Sequence, residues 1–152
     1  MITLRPSTTA ERDLFFEALR NELRNDELSA VTNRGLTWDS LRELFLTVGE
    51  VRAIHVDEAT AGFVWIEVHP PRLYIQSLIV NPGTRGRGVG LEALRLLERE
   101  FCEVTDTVLI GTLSTNERAI NFYEQAGFVL AEDVTAPGFV NFRKSIGSQR
   151  EI

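Results

Sequence analysis

Residues 80–91 read Val-Asn-Pro-Gly-Thr-Arg-Gly-Arg-Gly-Val-Gly-Leu, which puts Gly83, Gly86, Gly88 and Gly90 in one short stretch. The run before it, 73–80, ends Leu78-Ile79-Val80 and reads as a strand, and after it Leu91, Leu94, Leu97 and Phe101 recur at helical spacing. A strand, a glycine loop and a helix in succession form an α/β unit. A loop with so little side chain lets successive backbone N–H groups point at one place. The first amides of the following helix have no intrahelical partner, and its dipole adds positive charge. An anion such as a pyrophosphate is the natural guest, with Arg85 and Arg87 beside it. The plain alternative is a tight strand-to-helix turn with solvated arginines. Two other phosphate-binding patterns fail. The chain has no Gly-Lys pair, so the G-x-x-x-x-G-K-[ST] loop is excluded. Gly88-Val89-Gly90-Leu91-Glu92-Ala93 matches G-x-G-x-x-[GA], but 81–87, including Pro82, separates it from the strand end, and 107–113 ends without the acidic residue that holds a ribose.

The elements around the loop follow from periodicity and punctuation. Residues 2–5 alternate and stop at Pro6, a short strand. Thr8-Thr9-Ala10-Glu11 offers a capping box for a helix with Leu14, Phe15, Ala18, Leu19 and Leu23 on one face. A polar loop at 25–37, punctuated by Gly35, leads to a second helix carrying Trp38, Leu41, Leu44, Phe45 and Val48, which Gly49 stops. Strands at 51–56, 63–68 and 73–80 form a meander, turning at 57–62 and at Pro70-Pro71. The stretch 82–90 is too glycine-rich for regular structure. A strand at 107–113, a helix at 116–126 closed by Gly127, and strands at 128–132 and 139–144 complete the order, and 147–152 reads as a frayed tail. The sum is β α α β β β α β α β β in one mixed sheet, an α/β three-layer arrangement with strands parallel only near the glycine loop.

With 152 residues, 43% of them hydrophobic, the chain suits one domain with one core. Sixteen basic against 22 acidic residues give a net charge of -6, which argues against nucleic-acid and anionic-membrane binding, where a basic face supplies most of the affinity. Cys102 is the single cysteine and reads as a reduced, partly buried thiol. Two histidines without a cluster at ligand spacing point to no metal. Met1-Ile2-Thr3-Leu4-Arg5-Pro6 enters directly into an alternating pattern without the regions of a signal peptide, and no apolar run reaches membrane-spanning length. A cytoplasmic protein, monomer or homodimer, is expected.

Three blocks carry a family resemblance: Leu78-Ile79-Val80-Asn81-Pro82, then Arg85-Gly86-Arg87-Gly88-Val89-Gly90, then Asn116 with Ala119-Ile120-Asn121-Phe122-Tyr123-Glu124-Gln125-Ala126-Gly127-Phe128. They resemble the GNAT superfamily of acetyl-CoA-dependent N-acetyltransferases, whose [QR]-x-x-G-x-[GA] signature is met by Arg85, Gly88 and Gly90. The resemblance implies a three-layer α/β/α acyl-CoA N-acyltransferase-like fold over 1–146, built on one central mixed, mostly antiparallel sheet. It implies acetyl-CoA as co-substrate, with backbone groups of Leu78, Ile79 and Val80 holding pantetheine and the acetyl carbonyl, and Gly86, Arg87, Gly88, Val89, Gly90 and Leu91 cradling the pyrophosphate. It also implies that strands 73–80 and 107–113 splay apart, leaving backbone groups that an extended pantetheine pairs with as an added strand does.

Asn116 and Tyr123 stand two helical turns apart and share a face. Taken alone they read as an N-cap and a half-buried packing residue. The resemblance makes Tyr123 the acid beside the thioester sulfur and Asn116 a CoA contact. The departure is Gly111, which stands where many relatives place a Glu. Deprotonating a lysine-like amine at neutral pH costs about 4–5 kcal/mol, and an α-amine only about 1.4 kcal/mol. Either the acceptor is weakly basic or a base acts from elsewhere, with Glu67, His69, His55, Glu132 and Asp133 as candidates. Tyr74 and Gln76 alternate toward Leu78 and are candidates for the acceptor side, with the face left open. Trp38 and Trp65 read as core. The acceptor is a small-molecule or peptide amine of open identity, and Gly111 also motivates an alternative, a catalytically silent CoA-binding or regulatory module.

Overall fold

The computed structural model describes residues 1–24, 37–131 and 139–146. The expectations for 25–36, for 132–138 with Glu132 and Asp133, and for the 147–152 tail lie outside the described residues. The element order is β1 (Ile2–Pro6), α1 (Thr9–Arg24), α2 (Trp38–Thr47), β2 (Glu50–Val56), β3 (Ala59–His69), β4 (Arg72–Val80), a 3-10 turn (Pro82–Thr84), α3 (Val89–Phe101), β5 (Thr107–Leu113), α4 (Glu117–Gln125), β6 (Val129–Leu130) and β7 (Phe139–Ser145). The expected capping box starts α1. The Thr8 amide donates to Glu11 Oε1 at 2.9 Å and the Glu11 amide to Thr8 Oγ1 at 3.1 Å. Thr37 and Ser40 form a second reciprocal box at the start of α2.

The strands form one seven-stranded sheet in the order β1-β2-β3-β4-β5-β7-β6. Among the described strands only β4 and β5 run parallel, because the α3 crossover joins them. Alternation along β3 divides the core between the two faces. Phe63 and Trp65 pack under α1 and α2 with Phe15, Phe16, Leu41 and Phe45, while Val64 and Ile66 pack under α3 and α4 with Leu94, Leu97 and Tyr123. Phe45 is 1% exposed, and its truncation to Ala would cost about 3–5 kcal/mol.

Several local expectations are corrected. Leu14 is 71% exposed, because the buried stripe of α1 runs through Phe15, Phe16 and Leu19. The turn expected at 57–62 shrinks to Asp57 and Glu58, with Val56 pairing Ala59 and Asp57 at φ 54. Gly62 belongs to β3 and marks a close approach rather than a turn, since a Cβ there would lie 2.1 Å from the Ile79 carbonyl oxygen. The 82–90 loop is partly regular: the Asn81 carbonyl accepts from the Thr84 amide at 2.9 Å, and α3 already begins at Val89, so Gly90 is helical. The strand expected at 128–132 spans only Val129–Leu130, with Phe128 buried in the core instead.

Candidate active site

Pairing between β4 and β5 ends at Ile75 opposite Ile110, whereas β4 continues beside β3 to Val80 opposite Gly62, and β5 continues beside β7 to Leu113 opposite Phe139. The cause lies in the β3–β4 register. Trp65 faces Ser77 and Ile66 faces Ile75, so Gln76 is an extra residue on β4, and a bulge of this kind bends its strand. The two strands part, and a cavity of about 740 Å3 opens between them. Leu78, Ile79 and Val80 line one side of it and Gly111, Thr112 and Leu113 the other. The splay expected for strands 73–80 and 107–113 is present.

The glycine loop stands at one end of this cavity. Gly86 and Gly88 take φ 80 and 78, values that L side chains rarely adopt, and a Cβ built on either meets nothing within 4 Å. The space before the α3 N-terminus is therefore open, and Gly88 caps that helix without any side-chain bond. Gly90 serves a different purpose: its Cβ would come 3.1 Å from Phe122 Cζ, so its lack of a side chain lets α3 pack on α4. Arg85, Gly86, Gly88, Val89, Gly90 and Leu91 all line the cavity. Arg87 does not, and lines a second depression with Met1, Ile2 and Val56.

Asn116 and Tyr123 both line the cavity, on the one face that their spacing implied. Tyr123 is 5% exposed, ringed by Phe122, Phe128 and Phe142 at centroid distances of 5.6, 5.9 and 6.0 Å. Its hydroxyl has no hydrogen-bond partner among the described residues. Burial pushes its pKa up, the Glu22 carboxylate adds to the rise, and Arg118 partly opposes it, so the hydroxyl is held as a neutral donor. Asn116 caps α4 by accepting from the Ala119 amide at 3.1 Å, and its Nδ2 donates to Glu22 Oε1 at 3.3 Å. Glu22 also receives Arg118 at 2.7 Å. The sequence reading missed Glu22. The available signal was its position three residues after the buried Leu19 on α1, which puts a charge on a core-facing stripe.

The base candidates separate. Glu67 lines the cavity, where its Oε2 accepts from Gln76 Nε2 at 2.6 Å and its Oε1 lies 3.1 Å from His69 Nε2. His69 stands outside the cavity wall with an exposed side chain. His55 is taken up elsewhere: its Nε2 lies 3.3 Å from Glu11 Oε2, beside the α1 capping box. Tyr74 and Gln76 both line the cavity, on the face that α1 and α2 cover higher up. Trp65 is 7% exposed and donates to the Val48 carbonyl at 2.8 Å, so it is core and cavity wall together. Trp38 packs against α1 beneath Arg20. A Cβ on Gly111 would come 2.8 Å from Asn141 Oδ1, so a Glu there requires the Asn141 side chain to move. Among the described residues no helix is long and apolar enough to cross a membrane.

The sequence pattern of the Acetyltransferase (GNAT) family matches residues 13–128. No curated protein matches the chain in sequence. Among solved structures, an acetyltransferase from Thermus thermophilus is similar at TM-score 0.71 with 15% identity, covering 95% of this chain and 97% of that one. A GNAT family acetyltransferase from Elizabethkingia anophelis with acetyl-CoA bound is similar at TM-score 0.67 with 16% identity, over 95% and 97%. The PaiA N-acetyltransferase from Thermoplasma acidophilum, in complex with coenzyme A, is similar at TM-score 0.64 with 12% identity, over 95% and 99%.

Proposed function

The chain belongs to the GNAT acetyltransferase family, and on that premise we propose that it transfers an acetyl group from acetyl-CoA to a primary amine by direct attack, with both substrates bound together. The observation that carries this reading is the stretch of β4 after Ile75 that has no β5 neighbour, beside an open glycine loop. The co-substrate supplies an acyl group already activated as a thioester. The residues present fit it, because the loop leaves open the space that a Cβ at Gly86 or Gly88 would occupy.

The amides of Gly86, Gly88, Val89, Gly90 and Leu91 hold the pyrophosphate at the α3 N-terminus, where fixed N–H groups and the helix dipole favour negative charge. Arg85 supports the loop from one side, and the Arg87 charge lies nearby. Leu78 and Val80 offer backbone groups on the open side of β4 to the pantetheine amides, with Ile79, paired to Phe63 of β3, between them, and a β4 N–H polarises the acetyl carbonyl. Their side chains pack the core while the backbone binds. Tyr123 protonates the departing sulfur, the role its buried neutral hydroxyl suits, and Asn116 orders the α4 end of the cavity. No covalent enzyme intermediate is needed, because proximity and a polarised carbonyl suffice for a neutral amine.

Release of free thiol from acetyl-CoA across a panel of amines tests this reading. Gly111 favours a second one, a silent CoA-binding module. That protein would bind CoA with a thermal shift yet release no thiol with any amine, and such a result would overturn the enzyme reading.

A further inference from the structure

The cavity continues past the parted strands to an end bounded by α1, α2 and the lower part of β3 and β4. Two features there constrain the acceptor. Leu44 and Val48 on the α2 side and Trp65 on β3 form an apolar wall, and Leu44 is 37% exposed. Among the described residues two carboxylates also line the cavity, and they differ. Glu22 is offset by Arg118 at 2.7 Å. Glu67 has no arginine or lysine within ion-pair distance among the described residues; its partners are the neutral Gln76 amide at 2.6 Å and the His69 ring at 3.1 Å. Those two bonds fix the Glu67 carboxylate, two positions along β3 from Trp65 and therefore on the same face.

Resting on the acetyltransferase reading, we propose that the acceptor is a primary amine carried on an apolar body, seated with that body against Leu44, Val48 and Trp65 and its nitrogen hydrogen-bonded to Glu67. The apolar wall gains by being covered, and the fixed carboxylate accepts an N–H, which turns the nitrogen lone pair toward the β4–β5 gap. A polycation is disfavoured because its second charge meets the apolar wall, with Glu67 the one cavity carboxylate among the described residues that lacks a guanidinium. A free amino acid is disfavoured because its carboxylate would lie beside Glu67, while Arg118 is occupied by Glu22 and Arg72 donates to the Tyr74 hydroxyl at 3.4 Å. The proton balance closes. As the nitrogen–carbon bond forms and the carbon–sulfur bond breaks, the nitrogen gives its proton to Glu67 and the sulfur takes one from Tyr123. His69, exposed behind Glu67, returns the first proton to solvent, and solvent reprotonates Tyr123.

Benzylamine, spermidine and phenylalanine are titrated into the protein alone by calorimetry at about pH 9, where much of the benzylamine is neutral, and each is then assayed for thiol release with acetyl-CoA. Benzylamine is expected to bind and react about ten-fold or more better than the other two. Glu67→Gln and Leu44→Asn are each expected to weaken benzylamine binding about ten-fold while leaving CoA affinity unchanged. Leu44 is partly exposed, so its variant tests the wall even if Glu67→Gln folds poorly. Thiol release that is as good with spermidine or phenylalanine, or benzylamine binding unchanged in both variants, overturns this proposal and leaves the acetyltransferase reading standing. Benzylamine binding without thiol release from any amine overturns the acetyltransferase reading, and the acceptor assignment with it.

Discussion

The Arg85 guanidinium donates from Nε to the main-chain carbonyl of Val80 at 2.9 Å, fastening the glycine loop to the last residue of β4. That carbonyl lies where β4 has lost its parallel neighbour, so the side chain satisfies a backbone group that would otherwise need water or ligand. Arg85 therefore acts on the loop's shape as well as on its charge.

Replacing Arg85 by Met keeps much of the stem and deletes both contributions. CoA affinity is expected to fall about ten- to hundred-fold, the range for a hydrogen bond from a charged donor. Arg85→Lys separates the two: full recovery of the CoA Kd by calorimetry would show that charge alone matters and that the bond to Val80 does not.

Gly88 and Gly83 make a matched pair. A Cβ meets no atom within 4 Å at either position, but only Gly88 has a positive φ, 78, and only Gly88 caps α3. Gly88→Val is expected to lose about 1–2 kcal/mol of stability through backbone strain, and several-fold to about a hundred-fold in CoA affinity through blocked phosphate approach. Gly83→Ala leaves both unchanged. A Gly88→Val protein that binds CoA like the parent would remove the loop from the site.

Much of this was legible because the signals are local. The Thr8 and Glu11 capping box, the loop glycines and the two-turn spacing of Asn116 and Tyr123 each express a rule that acts within a few residues. The bulge at Gln76 was not legible, because it exists only in the register of β4 against β3. Gly62, read as a turn residue, is a strand residue pressed against the Ile79 carbonyl, and a sequence does not display which strand passes that close. Arg87 looked equivalent to Arg85, but it lines a neighbouring depression with Met1 and Val56 instead of the main cavity. Glu22 was missed because its partners, Asn116 and Arg118, lie far along the chain.

Tyr123→Phe keeps the ring within its aromatic cluster and deletes only the hydroxyl. Because that hydroxyl has no protein partner among the described residues, stability near neutral pH is expected to change by less than about 1 kcal/mol. The kcat is expected to fall about 10²- to 10⁴-fold with little change in acetyl-CoA Kd. The alkaline limb gives an independent check. Burial raises the folded pKa above the unfolded value of about 10, so above that pH only the unfolded chain gains by ionising. The stability contribution is full below the unfolded pKa and is lost as pH rises toward the folded one. The drop in Tm above about pH 10 is therefore shallower in Tyr123→Phe, and identical alkaline limbs would contradict the buried-phenol assignment.

Gly111 sets the pH dependence of the reaction. It leaves no carboxylate on β5 to deprotonate an ammonium before attack, and Glu67 receives a proton only as the new bond forms. The rate then depends on the fraction of acceptor already neutral, so kcat/KM is expected to rise with pH and level off near the acceptor's own pKa. Among acceptors of similar shape, those with pKa near 8 react faster at neutral pH than those near 10, by up to about two decades. Installing a base at this position requires Asn141 to move, since a Cβ on Gly111 would come 2.8 Å from Asn141 Oδ1. Gly111→Glu alone is expected to displace that side chain, so the informative protein is Gly111→Glu combined with Asn141→Ala, which opens the space. The double variant is expected to level off at lower pH and to gain most on the more basic amines. A parent profile that levels near about pH 6–7 whatever the acceptor would overturn this account and identify a group of the protein as the base. Glu67→Gln would then have to abolish that inflection if Glu67 were the group responsible.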